Sequence, residues 1–229
     1  MPEKLILQLE TATTMCSVAL ASNGELLALK ELNERNVHAS QITLFIEEVM
    51  KAAGKTYKDL DAVSVSKGPG SYTGLRIGVS TAKGLCYGLD IPLISVDTLQ
   101  AMALGLLEKY PEIHSKTLLC PMIDARRMEV YTALFDTDLN PVEAVSAKIL
   151  DEQSFDKYFA DHQVIFFGDG AGKCQPLYSN HPNYRFVEFE NSAAHMSTIS
   201  LKKLVNGEIE NMAYFEPFYL KDFIAGGAR

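Results

Sequence analysis

The chain has 229 residues, 47% of them hydrophobic and 22% charged, with a formal net charge of −8. This is ordinary globular composition, long enough for one large core or two modest ones. An acidic surface repels polyanions at long range, so the chain is not expected to grip nucleic acid unaided, and any such role needs a partner that supplies positive charge.

No apolar run approaches the roughly 18 to 20 residues that span a bilayer, so no membrane association is expected. The apolar run in MPEKLILQLE is too short for a signal peptide. Cys16, Cys86, Cys120 and Cys174 are widely scattered, which fits a reduced, cytoplasmic protein.

Lys4–Glu10 reads as an apolar strand closing on an acid. Met15–Ser22 alternates as a second strand, and Asn23-Gly24 is a hairpin turn into a third, Glu25–Leu32. Ser40–Ala53 places Ile42, Phe45, Ile46, Val49 and Met50 on one helical face, and Gly54 stops it. A short strand at Ala62–Ser66 leads into a glycine-rich turn and helix within Lys67–Leu89. A strand at Ile91–Val96 and a helix at Thr98–Lys109 complete the first half. The order then restarts. Thr117–Ile123 is apolar and meets Asp124, Ala125–Met128 turns, Glu129–Phe135 alternates, and Val142–Leu150 forms a third strand. A helix at Glu152–Phe159, a strand at Val164–Phe167, a glycine turn and a helix near His195–Val205 follow. Strand, acid, turn, strand, turn, strand, helix thus occurs twice, about 110 residues apart. The reading is α/β: two lobes, residues 1–109 and 110–229, each a mixed sheet flanked by helices.

The turn KGPGSYTG fits neither a Walker loop nor a dinucleotide loop, and reads as a helix start capped by Ser71 or Thr73. On a helical wheel Gly74, Gly78, Thr81, Leu85 and Gly88 fall on one side, small enough for a sheet to approach. The other side carries Tyr72, Arg76, Val79, Lys83, Cys86 and Tyr87, two lone cations among tyrosines and aliphatics. Such a face suits a protein interface, or burial between two layers of one domain. Leu44, outside the core stripe of the preceding helix, belongs with it. Gly168 and Gly170 lie in a second glycine turn, GDGAGK, that can meet a phosphate or simply turn. Glu10 and Asp124 end the first strand of each half. They can flank a cleft beside a phosphate and metal, or each can cap its own turn; turn capping is expected. The five histidines show no ligand spacing, and His38 reads as a turn or cap residue.

The block SKGPGSYTGLRIGVSTAKGLCYGLDIPLISVDTL closely resembles the signature of the TsaB family, the dimerization subunit of the bacterial tRNA threonylcarbamoyladenosine machinery. LQLETAT, MIDARRMEVY, FFGDGA and EPFYLKDF extend the likeness over nearly the whole chain. The resemblance implies the duplicated actin/Hsp70/sugar-kinase-like (RNase H-like) fold. Glu10 departs from the family's usual Asp. The catalytic TsaD paralogue resembles the same block and carries two metal-binding histidines, whose positions fall here on Thr98 and Met102. Neither side chain replaces an imidazole ligand.

The resemblance therefore implies a non-catalytic subunit without a cofactor or metal. It would pair with a TsaD-like transferase subunit, recruit a TsaE-like ATPase, and self-pair as a homodimer when alone. It would meet tRNA only through the complex, which modifies an adenosine beside the anticodon. The rival expectation is an enzyme of the same fold, an ATP-dependent phosphotransferase or a metallopeptidase.

Overall fold

The computed structural model describes residues 3–221. Asp222 and Phe223, which close the quoted EPFYLKDF, lie outside the described residues. The first half runs β1 (Leu5–Glu10), β2 (Met15–Ser22), β3 (Glu25–Asn33), α1 (His38–Ala52), β4 (Ala62–Gly68), α2 (Tyr72–Leu89), β5 (Leu93–Asp97) and α3 (Thr98–Lys109). The second runs β6 (Thr117–Asp124), β7 (Glu129–Phe135), β8 (Pro141–Ile149), α4 (Asp156–Phe159), β9 (Gln163–Phe167), α5 (Gln175–Tyr178), β10 (Tyr184–Val187) and α6 (Ser197–Asn206).

The strand orders are β3-β2-β1-β4-β5 and β8-β7-β6-β9-β10. In each sheet the first strand pairs antiparallel with the second and parallel with the fourth. The duplication read from the sequence is therefore a duplication of sheet topology. β1 and β6 are central and buried along nearly their whole length, which is why both read as continuous apolar runs.

The helices do not respect the expected division at residue 109. α3 sends Leu99, Met102 and Leu106 into the core of the second sheet, against Leu119, Ile123 and Phe167. α6 crosses the other way: Leu201 and Leu204 pack on Ile6, Ala62 and Ile94, and Ser200 Oγ donates to Ser64 Oγ at 2.7 Å. Beyond α6 the chain continues over the first lobe, with Glu210 N–H on the Leu93 carbonyl at 2.8 Å and Phe218 N–H on the Lys67 carbonyl at 2.7 Å. Each sheet is drawn from one half of the sequence, whereas α3, α6 and the segment after α6 pack across the halves.

Two further readings need correction. The helix expected over Glu152–Phe159 is reduced to the single turn of α4. Asp151 Oδ1 accepts from Gln153 N–H at 2.9 Å and Ser154 Oγ at 2.8 Å, holding the backbone in a local turn instead. β10 and α5 are short and carried no periodic signal. His38 opens α1 as a buried residue, its Nε2 3.2 Å from the Met15 carbonyl, rather than capping it.

Candidate functional site

α2 begins where sequence placed it: Ser71 Oγ accepts the Gly74 N–H at 3.2 Å. Gly74 and Gly78 seat the helix on the loop after β1. A Cβ added to Gly74 would stand 2.1 Å from the Thr11 carbonyl oxygen, and one on Gly78 2.3 Å from Thr11 Oγ1. Gly88 was grouped with them but meets nothing within 4 Å.

The opposite side is not the surface that the wheel suggested. Val79 and Cys86 are buried in the first core, with Phe45, Val49 and Met50 of α1 among its members. Cys86 Sγ donates to the Pro92 carbonyl at 3.4 Å, and burial pushes the thiol up to about 11. The helix is covered on two sides, by its sheet and by α1, so its open stripe is narrower and rotated: Thr73, Arg76, Ser80, Gly84 and Tyr87. No charge marks that stripe except Arg76, and serine and glycine leave no hydrophobicity signal, so periodicity alone misplaced it. Tyr87 is 83% exposed and Leu44, on α1, 49% exposed.

The segment after α6 borders this stripe, a participant that sequence reasoning missed. Tyr219 lies 4.7 Å from Tyr72 ring to ring, and Lys83 Nζ donates to the Phe215 carbonyl at 3.1 Å. Arg76 stands 5.4 Å over the Tyr72 ring and donates to its hydroxyl at 3.4 Å. Together these side chains edge a groove of about 340 Å³. The aromatic spacing of YFEPFYL was the available signal.

The inter-lobe cleft is a different kind of place. Glu10 is fully buried. Burial pushes its carboxyl up to about 7, against the Ala12 N–H at 2.6 Å and the Ser66 hydroxyl at 2.9 Å that favour the charged form. The Asn191 side chain beside it also favours the charged form. Asp124 is exposed, accepts the Arg126 N–H at 2.6 Å and pairs with Lys173 at 2.8 Å. Each acid thus caps the residue two positions on, at matching places in the two lobes.

The glycine turns are equally committed. Gly168 sits at φ +97°, and a Cβ there would meet the Met122 carbonyl at 2.4 Å; one on Gly170 would stand 2.9 Å from the Ile123 carbonyl carbon. Gly170 N–H donates to Met122 O, Ala171 N–H to Gly168 O and Lys173 N–H to Gly170 O. Gly68 N–H donates to Thr98 Oγ1 and Ser71 N–H to Ala12 O. A phosphate cradle needs such N–H groups free. The cavity lined by Thr13, Asn33, Met102, Asp169 and Asn191 measures about 40 Å³, against the several hundred of a ligand pocket. These residues do not fit a nucleotide.

Nor do Thr98 and Met102 fit a metal. Both are buried, the Thr98 hydroxyl occupied by Gly68 N–H and Met102 packed in the second core. Among the described residues no helix is long and apolar enough to cross a membrane.

Residues 31–222 match the family model described as TsaD: tRNA N6-adenosine threonylcarbamoyltransferase. An Escherichia coli protein named tRNA threonylcarbamoyladenosine biosynthesis protein TsaB is 39% identical over 60% of this chain and 57% of its own length. The chain spans a little over half the length of the curated relatives it matches. Among solved structures, a Pseudomonas aeruginosa protein described as similar to peptidase YEAZ superposes with a TM-score of 0.80 at 22% identity, covering 95% of this chain and 100% of that one. The activator of the 2-hydroxyisocaproyl-CoA dehydratase from Clostridium difficile, with bound ADPNP, superposes at 0.52 and 8% identity over 90% and 98%. Those two likenesses concern the fold: the two-lobed actin-like architecture.

Proposed function

The chain belongs to the TsaD, tRNA N6-adenosine threonylcarbamoyltransferase, family, on its TsaB side, and from that premise we propose that it is a non-catalytic docking subunit of the machinery that makes threonylcarbamoyladenosine in tRNA. It binds a TsaD-like transferase subunit through the outer stripe of α2 and the adjoining surface of α1. The pair serves a TsaE-like ATPase, works in the cytoplasm, and meets tRNA as an assembly.

One observation carries this reading. The 18 residues of α2 contain no carboxylate, in a chain with 29 Asp and Glu, yet the helix turns a full stripe outward with Tyr87 at its end. A solvent face would be studded with charge. Small residues at Ser80 and Gly84 let a second helix approach closely, and Tyr87 and Leu44 supply apolar anchors at the rim. The paralogous subunit resembles this chain over the same stretch, so it brings a comparable helix to the contact. The same stripe accounts for a homodimer of the chain alone, with self-pairing and transferase binding in competition.

Catalysis by this chain is disfavoured by the residues themselves. Thr98 and Met102 hold the places of the metal-binding histidines and are engaged in packing. The N–H groups of Gly68 and Ser71 in one glycine turn, and of Gly170, Ala171 and Lys173 in the other, are used internally. The transferase chemistry belongs to the partner.

The test is co-purification of the full chain with its transferase subunit, followed by tRNA modification with each protein alone and both together. Capture of the subunit and modification only with both present are expected. Modification by the chain alone would overturn the docking reading in favour of an enzyme.

A further inference from the structure

The hairpin between β6 and β7 carries a backbone cost that its own packing does not explain. Arg126 and Arg127 both adopt left-handed backbone, at φ 69° and 49°. They are the only consecutive non-glycine pair in that region among the described residues. Left-handed backbone suits glycine, and asparagine tolerates it with a side-chain bond to its own turn; here the backbone is tied by Asp124 and Glu129, and the arginine side chains add no local hydrogen bond. The β2–β3 hairpin solves the same problem with Asn23-Gly24, at φ 51° and 84°.

Strain retained at a turn points to side chains wanted for themselves. Both arginines are exposed, and neither guanidinium has an ion-pair or hydrogen-bond partner among the described residues. The neighbouring lysines are taken: Lys173 pairs with Asp124 at 2.8 Å and donates to the Glu129 carbonyl at 2.8 Å, and Lys221 pairs with the Glu129 carboxylate. Asp169 accepts the Asp124 N–H at 2.9 Å. Among the described residues four cations thus meet three carboxylates at the tip, a local positive excess on a chain of net charge −8.

We propose that the Arg126–Arg127 tip is an RNA contact, its two guanidiniums each taking a backbone phosphate of the tRNA substrate, with Met128, 43% exposed, beside them. This rests on the docking reading above for the presence of an RNA. A strained hairpin of two adjacent, exposed guanidiniums favours a phosphate backbone over a protein surface, which would seek an apolar centre. The chain's overall charge forbids tight binding unaided, so the tip adds affinity to an assembly.

The test follows fluorescence anisotropy of a labelled anticodon stem-loop RNA over a salt series, with the full chain alone and with its transferase subunit. Subunit capture is measured separately, before RNA is added. Arg126→Ala/Arg127→Ala should weaken RNA binding by the assembly tenfold or more and lower the log–log salt slope by about two, with capture unchanged. Arg126→Gly/Arg127→Gly should lose the same affinity while melting a few degrees higher, because the strain is relieved. Unchanged RNA affinity in both variants overturns the proposal. Lost capture with unchanged RNA affinity overturns it too, and assigns the tip to an acidic protein surface. If the native chain captures no subunit, the docking reading fails on its own; the titration of the chain alone then decides, and RNA binding independent of the two arginines sinks the proposal.

Discussion

In the first lobe, β3 and β4 each lead into a long helix, α1 of 15 residues and α2 of 18. In the second, β8 and β9 lead into α4 and α5, of four residues each. The sheets share one topology, so the difference lies in what covers them. The second lobe closes itself with rings: Phe155 lies 4.9 Å from Phe166, Phe166 5.3 Å from Tyr184, and Phe159 5.4 Å from Tyr178. Those aromatics bury large areas without long elements and leave an inward-looking core. The first lobe instead covers its sheet with a helix pair whose outer stripe is open. One topology thus carries a lobe closed over rings and a lobe whose helix pair leaves a stripe open, the stripe proposed above for docking.

That contrast breaks most sharply at Val79, in the α1–α2–sheet core. Val79→Glu would bury an unpaired carboxylate, costing several kcal/mol, and should leave little folded protein by circular dichroism. A soluble variant with native melting would place Val79 on the surface after all. Phe155→Ala should be the next largest effect, roughly 3–5 kcal/mol from the ring cluster of the second lobe, read by urea denaturation. Subunit capture by the folded fraction should persist if docking runs through the outer stripe of α2, as proposed.

Glu10 sharpens the comparison with its counterpart Asp124. Its folded value of about 7 lies above the ordinary 4.5, so the fold favours the protonated form. Stability from this group is full below pH 4.5 and falls as pH rises through 7, by an amount on the order of 3 kcal/mol. Glu10→Gln should remove that slope and melt higher than the native chain at pH 8. His195, depressed to about 4 by burial, loses stability in the opposite direction, as pH falls from 6.5, and remains in both proteins. Equal pH slopes for variant and native chain would show that Glu10 stays charged.

Much of this was legible because burial leaves a mark on sequence. β1, β2, β6 and α1 stand where periodicity put them, since each buries a continuous or alternating face. The duplicated topology followed from the repeated strand–acid–turn. The acids at Glu10 and Asp124 were correctly read as turn caps, a local property. What failed was non-local. Val79 and Cys86 look like surface on a wheel that knows nothing of α1 packed alongside. The return of α6 and of Phe215 and Tyr219 to the first lobe spans well over a hundred residues and has no periodic signature. The Arg126–Arg127 strain shows only as a dihedral.

The smallest expected effect on stability is the most informative about function. Tyr87 is 83% exposed at the end of the α2 stripe, so Tyr87→Glu should shift stability by no more than about 0.5 kcal/mol. The direct measurement is calorimetric titration of the transferase subunit into native and Tyr87→Glu chains, with melting curves recorded on the same samples. Unchanged melting and at least tenfold weaker binding, about 1.4 kcal/mol, are expected when an aromatic anchor is replaced by a charge at a helix contact. Native-like affinity from a normally folded Tyr87→Glu chain would contradict that expectation, and the outer stripe of α2 would not be the docking surface.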